Sequence, residues 1–476
     1  MTTAHRTLPG IGELLAGYAA GTLTPRDAVE QCLAAIEATE PALGAVETLV
    51  AERARAEADA AGRRWRAGTA RPLEGVPYGL KDTIDTAGVP TGYGSPLYRG
   101  HVPTADAQVQ RRLAAAGGIL VAKLATYEFE AGRNARTRNP FDLSRTSGGS
   151  SSGPCAAVGA GQLPLAIGSD AGGSIRVPAA WCGAVGLKPT FGRVSRRGAV
   201  SCSWTLGHIG PITRTVRDAA LALQAIAGHD PADPYSVGAP VDADYAAGCD
   251  GDLTGVRIGV PEEWFEELCE PAVAAAVAAA RDRLAAAGAT LVPVSLPILR
   301  RINPDALKHL IVPAEAASIH EADLPRVEGF GDAFRALLLE GHLVAAPDYL
   351  RALRMRALIQ RDLAAVFERV DALAVPGSVI TAPLLEQETV TLGGTEHPLA
   401  SVVARTTSVF NLAGNPAVVV PCGHDDRGLP VSLQIATPPW READCLRIAH
   451  AAERRQESVG GIGSRTTSRC EGRAPS

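Results

Sequence analysis

The sequence predicts an α/β fold. Short apolar runs of strand length recur along the chain: VPYGL (76–80), GILVAK (118–123), PLAIGSD (164–170) and DALAVPG (371–377). Each has the length of a buried strand rather than of a buried helix. Between them stand stretches whose apolar residues follow helical spacing, among them IGELLAGYAA and PRDAVEQCLAAIEAT within residues 9–39. Residues 255–294 read as strand, helix and strand: GVRIGV, an Ala-rich helix over 271–287, and ATLVPV. Two strands joined through a helix form the crossover unit of a parallel sheet.

The elements follow in order. Thr24 is placed to cap the second N-terminal helix, with Pro25 at its first position. Residues 48–67 continue as a charged amphipathic helix on the outside. VPYGL delivers Lys81 and Asp82 at its end, where α/β folds collect functional side chains. A helix near 105–116 precedes GILVAK, which ends at Lys123. TYEFEAGRNARTRNPFDLSRT (126–146) is rich in arginine and turn residues and reads as a loop, either lining a pocket or simply connecting. A helix is expected from about Val216 to Ala227, mostly helical structure over 303–370, a strand at PVSLQIA (430–436) and a closing helix over 441–454. Residues 1–455 read as a single domain, with N-terminal helices in 1–70 and a variable helical region in 240–400. Residues 456–476 are polar and rich in Gly, Ser and Arg, and read as a disordered tail.

Composition narrows the function. The 476 residues are 46% apolar and 20% charged, enough for a sizeable core. A formal net charge of −5 gives no reason to expect nucleic acid or an anionic membrane as partner. No stretch reaches the ~18 apolar residues of a spanning helix. The N-terminus lacks a basic-then-apolar leader pattern. Nine cysteines are dispersed without a C-x-x-C pair, which favours a reducing compartment, the cytoplasm. The ten histidines show no ligand spacing, so neither metal nor cofactor is expected.

The chemistry concentrates between Gly148 and Pro189. GGSSSG (148–153) and a second Gly-Gly-Ser at 172–174 flank the strand PLAIGSD. Glycine before serine lets backbone N–H groups converge beside a hydroxyl. A nucleophile next to converging donors is what acyl transfer needs. Lysine adds a second signal. Of 46 basic residues only Lys81, Lys123, Lys188 and Lys308 are lysine. Where arginine serves nearly everywhere, a retained lysine can do what arginine cannot, namely lose its proton. Burial behind an apolar strand would promote that loss at Lys81; the plain alternative is a surface Lys81–Asp82 pair. His208 lies near these glycines but reads as a structural loop histidine, because no G-x-S-x-G elbow accompanies it. GGSSSG lacks the G-K-[ST] ending of a phosphate loop.

The stretches GVPYGLKDTIDTAGVPT, NPFDLSRTSGGSSSG, AIGSDAGGSIRVPAAWCGAVGLKPTFGRVS and FNLAGNPAVVVPCGHDDRGLPVSLQI together resemble the amidase signature family of serine hydrolases. The resemblance runs to about residue 455. It implies a mixed, largely parallel central sheet covered by helices on both faces. It implies a Ser–Ser–Lys triad: Ser174 as nucleophile, Ser150 as bridging serine at a cis peptide, and Lys81 as base. Backbone N–H groups of Ala171, Gly172, Gly173 and Ser174 would form the oxyanion hole. Ser151 would support these groups by hydrogen bonding, Ser152 would cap a helix, and Asp170 with Arg176 would pair to hold the turn. Cys182, Lys123 and Lys188 would be structural. Tyr127 and Trp204 are picked as pocket residues from the variable segments.

The resulting expectation is a stand-alone amidase acting on a small-molecule amide: R–CO–NH₂ and water give acid and ammonia through acyl-Ser174. The alternative is an amidotransferase-type subunit or acyltransferase that passes ammonia or the acyl group to a second substrate. The Tyr-Asp-Gly stretch of the glutamine-using amidotransferase subunit is missing between residues 300 and 400, which weighs against that alternative. The hydrophobic N-terminal segment of membrane-anchored fatty acid amide hydrolases is missing as well. A homodimer is left open.

Overall fold

The computed structural model describes residues 8–131, 136–242 and 244–453. The expected tail at 456–476 lies outside them. Strands β1 (Val46–Leu49), β2 (Pro77–Lys81), β3 (Ile119–Leu124), β4 (Leu165–Asp170), β5 (Val185–Lys188) and β6 (His208–Thr213) come from the first half of the chain. Strands β7 (Arg257–Pro261), β8 (Thr290–Val294) and β9 (Ala372–Pro376) follow, then the hairpin β10 (Thr389–Leu392) and β11 (Thr395–Pro398), then β12 (Ala417–His424) and β13 (Pro430–Ala436). All but the hairpin join one sheet in the order β1–β3–β2–β4–β6–β5–β12–β13–β9–β7–β8.

The sheet is mixed. Parallel neighbours form two blocks, β3–β2–β4 and β9–β7–β8. The antiparallel pairs β4–β6, β6–β5, β5–β12, β12–β13 and β13–β9 join them. The crossover unit expected at 255–294 is β7, the helix Pro271–Ala286 and β8, with Arg257 opposite Thr290.

Helices bury both faces, and the strands show it by their period of two. In β12, Val418 and Val420 join one apolar cluster while Val419 joins the cluster across the sheet. In β9, Ala372 and Ala374 point one way, Leu373 and Val375 the other. Burying each such aliphatic side chain contributes about 1.5–3 kcal/mol. Helices Val216–Ile226, Pro271–Ala286 and Glu442–Glu453 cover the first face. On the other, Pro25–Leu43, Ala51–Arg66 and Ser152–Gly159 cover the block with β2 and β4, and Pro304–Ile319, Asp332–Leu343 and Ala346–Phe367 cover the far end. Thr24 caps its helix as expected: its Oγ1 accepts from Asp27 N at 3.1 Å, and Asp27 Oδ2 accepts from Thr24 N at 3.0 Å.

Two strands depart from the sequence reading. β1 precedes the helix expected from residue 48. His208 does not lie in a loop; it opens β6, an interior strand. Gly210 and Pro211 argue against an interior strand when read locally. The sheet needs that glycine, because a Cβ there would lie 2.0 Å from the carbonyl oxygen of Leu187. Among the described residues, no helix is long and apolar enough to cross a membrane.

Candidate active site

β2 and β4 run parallel and end together. Their ends bring Lys81, Ser169 and Asp170 to one place. Lys81 is wholly buried. Its Nζ lies 2.7 Å from Ser150 Oγ, 2.7 Å from Ser169 Oγ and 3.6 Å from Glu130 Oε1. Burial lowers the Lys81 pKa from its ordinary value; the Glu130 carboxylate opposes that shift.

Ser150 is buried, and its peptide bond with Gly149 is cis. The turn before it needs glycine at 148. Gly148 has φ +80°, and a Cβ there would meet the Trp181 ring at 2.8 Å. Tyr127, picked as a pocket residue, is partly buried beside the serine loop. Its ring lies against Gly149, where a Cβ would come within 2.3–2.6 Å of it. Ser151 has the supporting role: its Oγ donates to Ser169 O at 3.1 Å and its N donates to Ser174 O at 3.1 Å. Ser152 does not cap the helix it begins; its Oγ donates to Ala125 O at 3.2 Å.

Ser174 is half-buried. Its Oγ makes no hydrogen bond among the described residues, so the Ser150–Ser174 link of the expected triad is not formed here. The turn carrying it is held on both sides. Asp170 Oδ1 accepts from Gly173 N at 2.7 Å, and Oδ2 accepts from Ile175 N at 3.2 Å. Gly173 is therefore not an unengaged oxyanion donor. Among the described residues, the amides of Ala171, Gly172 and Ser174 donate to nothing. Gly173 has φ +132°, and Thr407 leaves no room for a Cβ there. Thr407 Oγ1 donates to Gly172 O at 2.8 Å.

Asp170 and Arg176 pair as expected, bidentate at 3.0 Å and fully buried. Burial works against the Asp170 charge, yet the guanidinium holds that carboxyl well below the usual carboxylate range. Arg176 also donates to Asn411 Oδ1 at 2.6 Å and Gln434 Oε1 at 2.7 Å. Asn411 Nδ2 donates to Asp170 Oδ1 at 2.8 Å. His208 Nδ1 faces the carbonyls of Leu206 and Asp170 at 2.6 and 3.2 Å. Burial, with Lys188 nearby, pulls its pKa well below the ordinary histidine value. Cys182 is buried, and burial pushes its thiol up.

Trp204 is 43% exposed. Its neighbours Ser203 and Thr205 are fastened to Glu315 of helix Pro304–Ile319. The same helix carries Lys308, whose Cδ would lie 2.6 Å from a Cβ at Gly172. Sequence reasoning missed Glu130, Ser169, Thr407 and Lys308 as neighbours of the serines. Only the scarcity of lysine pointed toward any of them.

The family model described as Amidase matches residues 27–446. The chain is 43% identical over 468 residues to a Chloroflexus aggregans protein named as the A subunit of glutamyl-tRNA(Gln) amidotransferase, covering 92% of this chain and 94% of that one. A chain from a solved structure described as a vestigial protein complex that reveals the evolutionary origins of an s-triazine catabolic enzyme superposes with TM-score 0.88 at 36% identity, over 93% of this chain and 98% of that chain. The corresponding amidotransferase protein of Thermotoga maritima superposes with TM-score 0.76 at 31% identity, over 90% and 91%.

Proposed function

The chain belongs to the Amidase family, and we propose that it cleaves a carboxylic amide through an acyl-Ser174 intermediate, as the amide-splitting subunit of an enzyme that hands the ammonia to a second substrate. The observation that carries the coupling to a second substrate is the 43% identity to a protein named as part of an amidotransferase, over nearly the full length of both chains. The chemistry rests on the cluster at the ends of β2 and β4.

In the proposed cycle, neutral Lys81 draws the hydroxyl proton of Ser150, and Ser150 draws that of Ser174. Ser174 Oγ attacks the amide carbon. The oxyanion is received by the unengaged amides of Ala171, Gly172 and Ser174. The proton returns along the same relay to the amide nitrogen, the C–N bond breaks and ammonia leaves. Water then attacks the acyl-serine, and Ser174 recovers its proton as the acid departs. A base of this kind supplies ~10²–10⁴ in rate, and one oxyanion donor ~10²–10³.

A second reading ends with water alone and releases ammonia to solution. One observation favours it: the Tyr-Asp-Gly stretch is missing between residues 300 and 400.

One set of measurements tests the mechanism and separates the endings. A fluorophosphonate probe should attach to Ser174, at a rate that rises with pH as Lys81 loses its proton. Ser174→Ala should take up none. Continued labelling of that variant would sink the acyl-serine reading. Ammonia release from primary amides is then followed for the chain alone and with proteins that co-purify with it. A rate that co-purifying proteins leave unchanged favours the hydrolase; release only in their presence favours the amidotransferase role.

A further inference from the structure

Lys81 has a neighbour that neither hydroxyl chemistry nor packing requires. Glu130 ends a single turn, Glu128–Glu130, within the segment read as a loop. Phe129 and Glu130 both have positive φ, 44° and 69°. Two successive non-glycine residues in the left-handed region are strained. The Phe129 ring helps to hold the turn in place, packed among Tyr93, Tyr98, His320, Phe330 and Phe334. The turn drives the Glu130 carboxylate inward until its side chain is 2% exposed. Burying a carboxylate costs several kcal/mol unless it is paired and hydrogen-bonded.

Its partners show what the charge does. Glu130 Oε2 accepts from Ser201 Oγ at 3.0 Å. Oε1 accepts from Ser169 Oγ and lies 3.6 Å from Lys81 Nζ. A carboxylate only accepts. The Ser169 proton is therefore committed to Glu130, and Ser169 must accept from Lys81 at 2.7 Å. One N–H of Lys81 is spoken for, and the lone pair of the neutral amine is left to face Ser150, 2.7 Å away.

We infer that Glu130 is a positioning residue for Lys81: through Ser169 it turns the amine lone pair toward Ser150, and its charge sets the pH at which that lone pair becomes available. The inference rests on the acyl-serine reading above. Among the described residues, few other ionisable groups face the pair. Burial pushes the thiols of Cys202 and Cys155 up, so they are neutral. Asp170 is matched by Arg176. Arg196 faces Glu130 electrostatically from the segment after β5. Among the described residues, Glu130 is thus the carboxylate nearest Lys81, 3.6 Å from its Nζ. Removing it favours the neutral amine, so the acid limb of reactivity must move to lower pH.

The test is the second-order rate of fluorophosphonate attachment to Ser174, measured against pH, with a thermal melt to confirm folding. Glu130→Gln keeps an acceptor for Ser169 and drops the charge. Its acid limb should fall by about 1–3 pH units, with the plateau rate largely retained. Glu130→Asp keeps the charge and should keep the limb near that of the native chain. An unchanged limb in Glu130→Gln overturns the assignment. Should that variant not fold, Ser169→Ala reads the other half: it removes the bridge and keeps the charge, so the plateau should fall about tenfold or more while the limb stays. A native plateau there overturns the assignment equally. Failure of the native chain to label at any pH would remove the acyl-serine reading and this inference together; labelling with unmoved limb and plateau removes this inference alone.

Discussion

Lys81 and Lys123 stand on adjacent parallel strands, β2 and β3, and both are wholly buried. Each has a carboxylate close by: Glu130 at 3.6 Å from Lys81, Asp82 at 3.4 Å from Lys123. Burial draws both below the ordinary lysine value, Lys123 to about 8. They differ in what else they touch. Lys123 donates to the carbonyl of Ile84 at 2.7 Å and to Thr91 Oγ1 at 2.6 Å, and Thr91 Oγ1 donates in turn to the carbonyl of Val89 at 3.2 Å. Carbonyls accept and never give. Lys81 instead meets Ser150, a hydroxyl that both gives and takes, beside the Ser174 turn. Burial makes a lysine able to lose its proton; in the mechanism proposed above, a hydroxyl partner makes that loss useful.

Methionine at each position tests the contrast. Lys81→Met should lower the rate of probe attachment to Ser174 by ~10²–10⁴. Lys123→Met should leave the rate per folded molecule within about threefold, since Lys123 touches neither serine. Both variants strand a buried carboxylate, and each should lose about 3–5 kcal/mol of stability in denaturant titration. Equal losses of reactivity would break the comparison. A smaller effect sharpens it from the other side of the site. Thr407→Val removes the hydroxyl bonded to Gly172 O, at about 1 kcal/mol of stability and a few-fold change in labelling rate. A loss comparable to Lys81→Met would mean that the turn, rather than the lysine, limits reactivity.

The legible parts of this protein are those specified over a few residues. VPYGL, GILVAK and PLAIGSD become β2, β3 and β4 because short apolar runs between helices have few other places to go. The Asp170–Arg176 pair is legible because both residues flank one turn. What stays hidden depends on distance or on an unusual backbone. Glu130 reaches Lys81 only because two residues adopt positive φ. Thr407 reaches Gly172 across 235 positions. Gly210 looks like a strand breaker until the neighbouring strand is seen to crowd it. The contact of the Tyr127 ring with Gly149 joins two positions 22 residues apart, which no local pattern announces.

Arg176 ties the turn that carries Ser174 to Asn411 and Gln434, residues 235 and 258 positions further along the chain. Chains emerge from the ribosome N-terminus first, at roughly 5–20 residues per second. Ser174 is therefore made well before the two side chains that hold its turn. The Ser174 hydroxyl travels through about half of translation on a segment whose final anchors have not been synthesised. The setting of the turn is completed only once Asn411 and Gln434 have been made, so a half-made chain carries the serine without that setting.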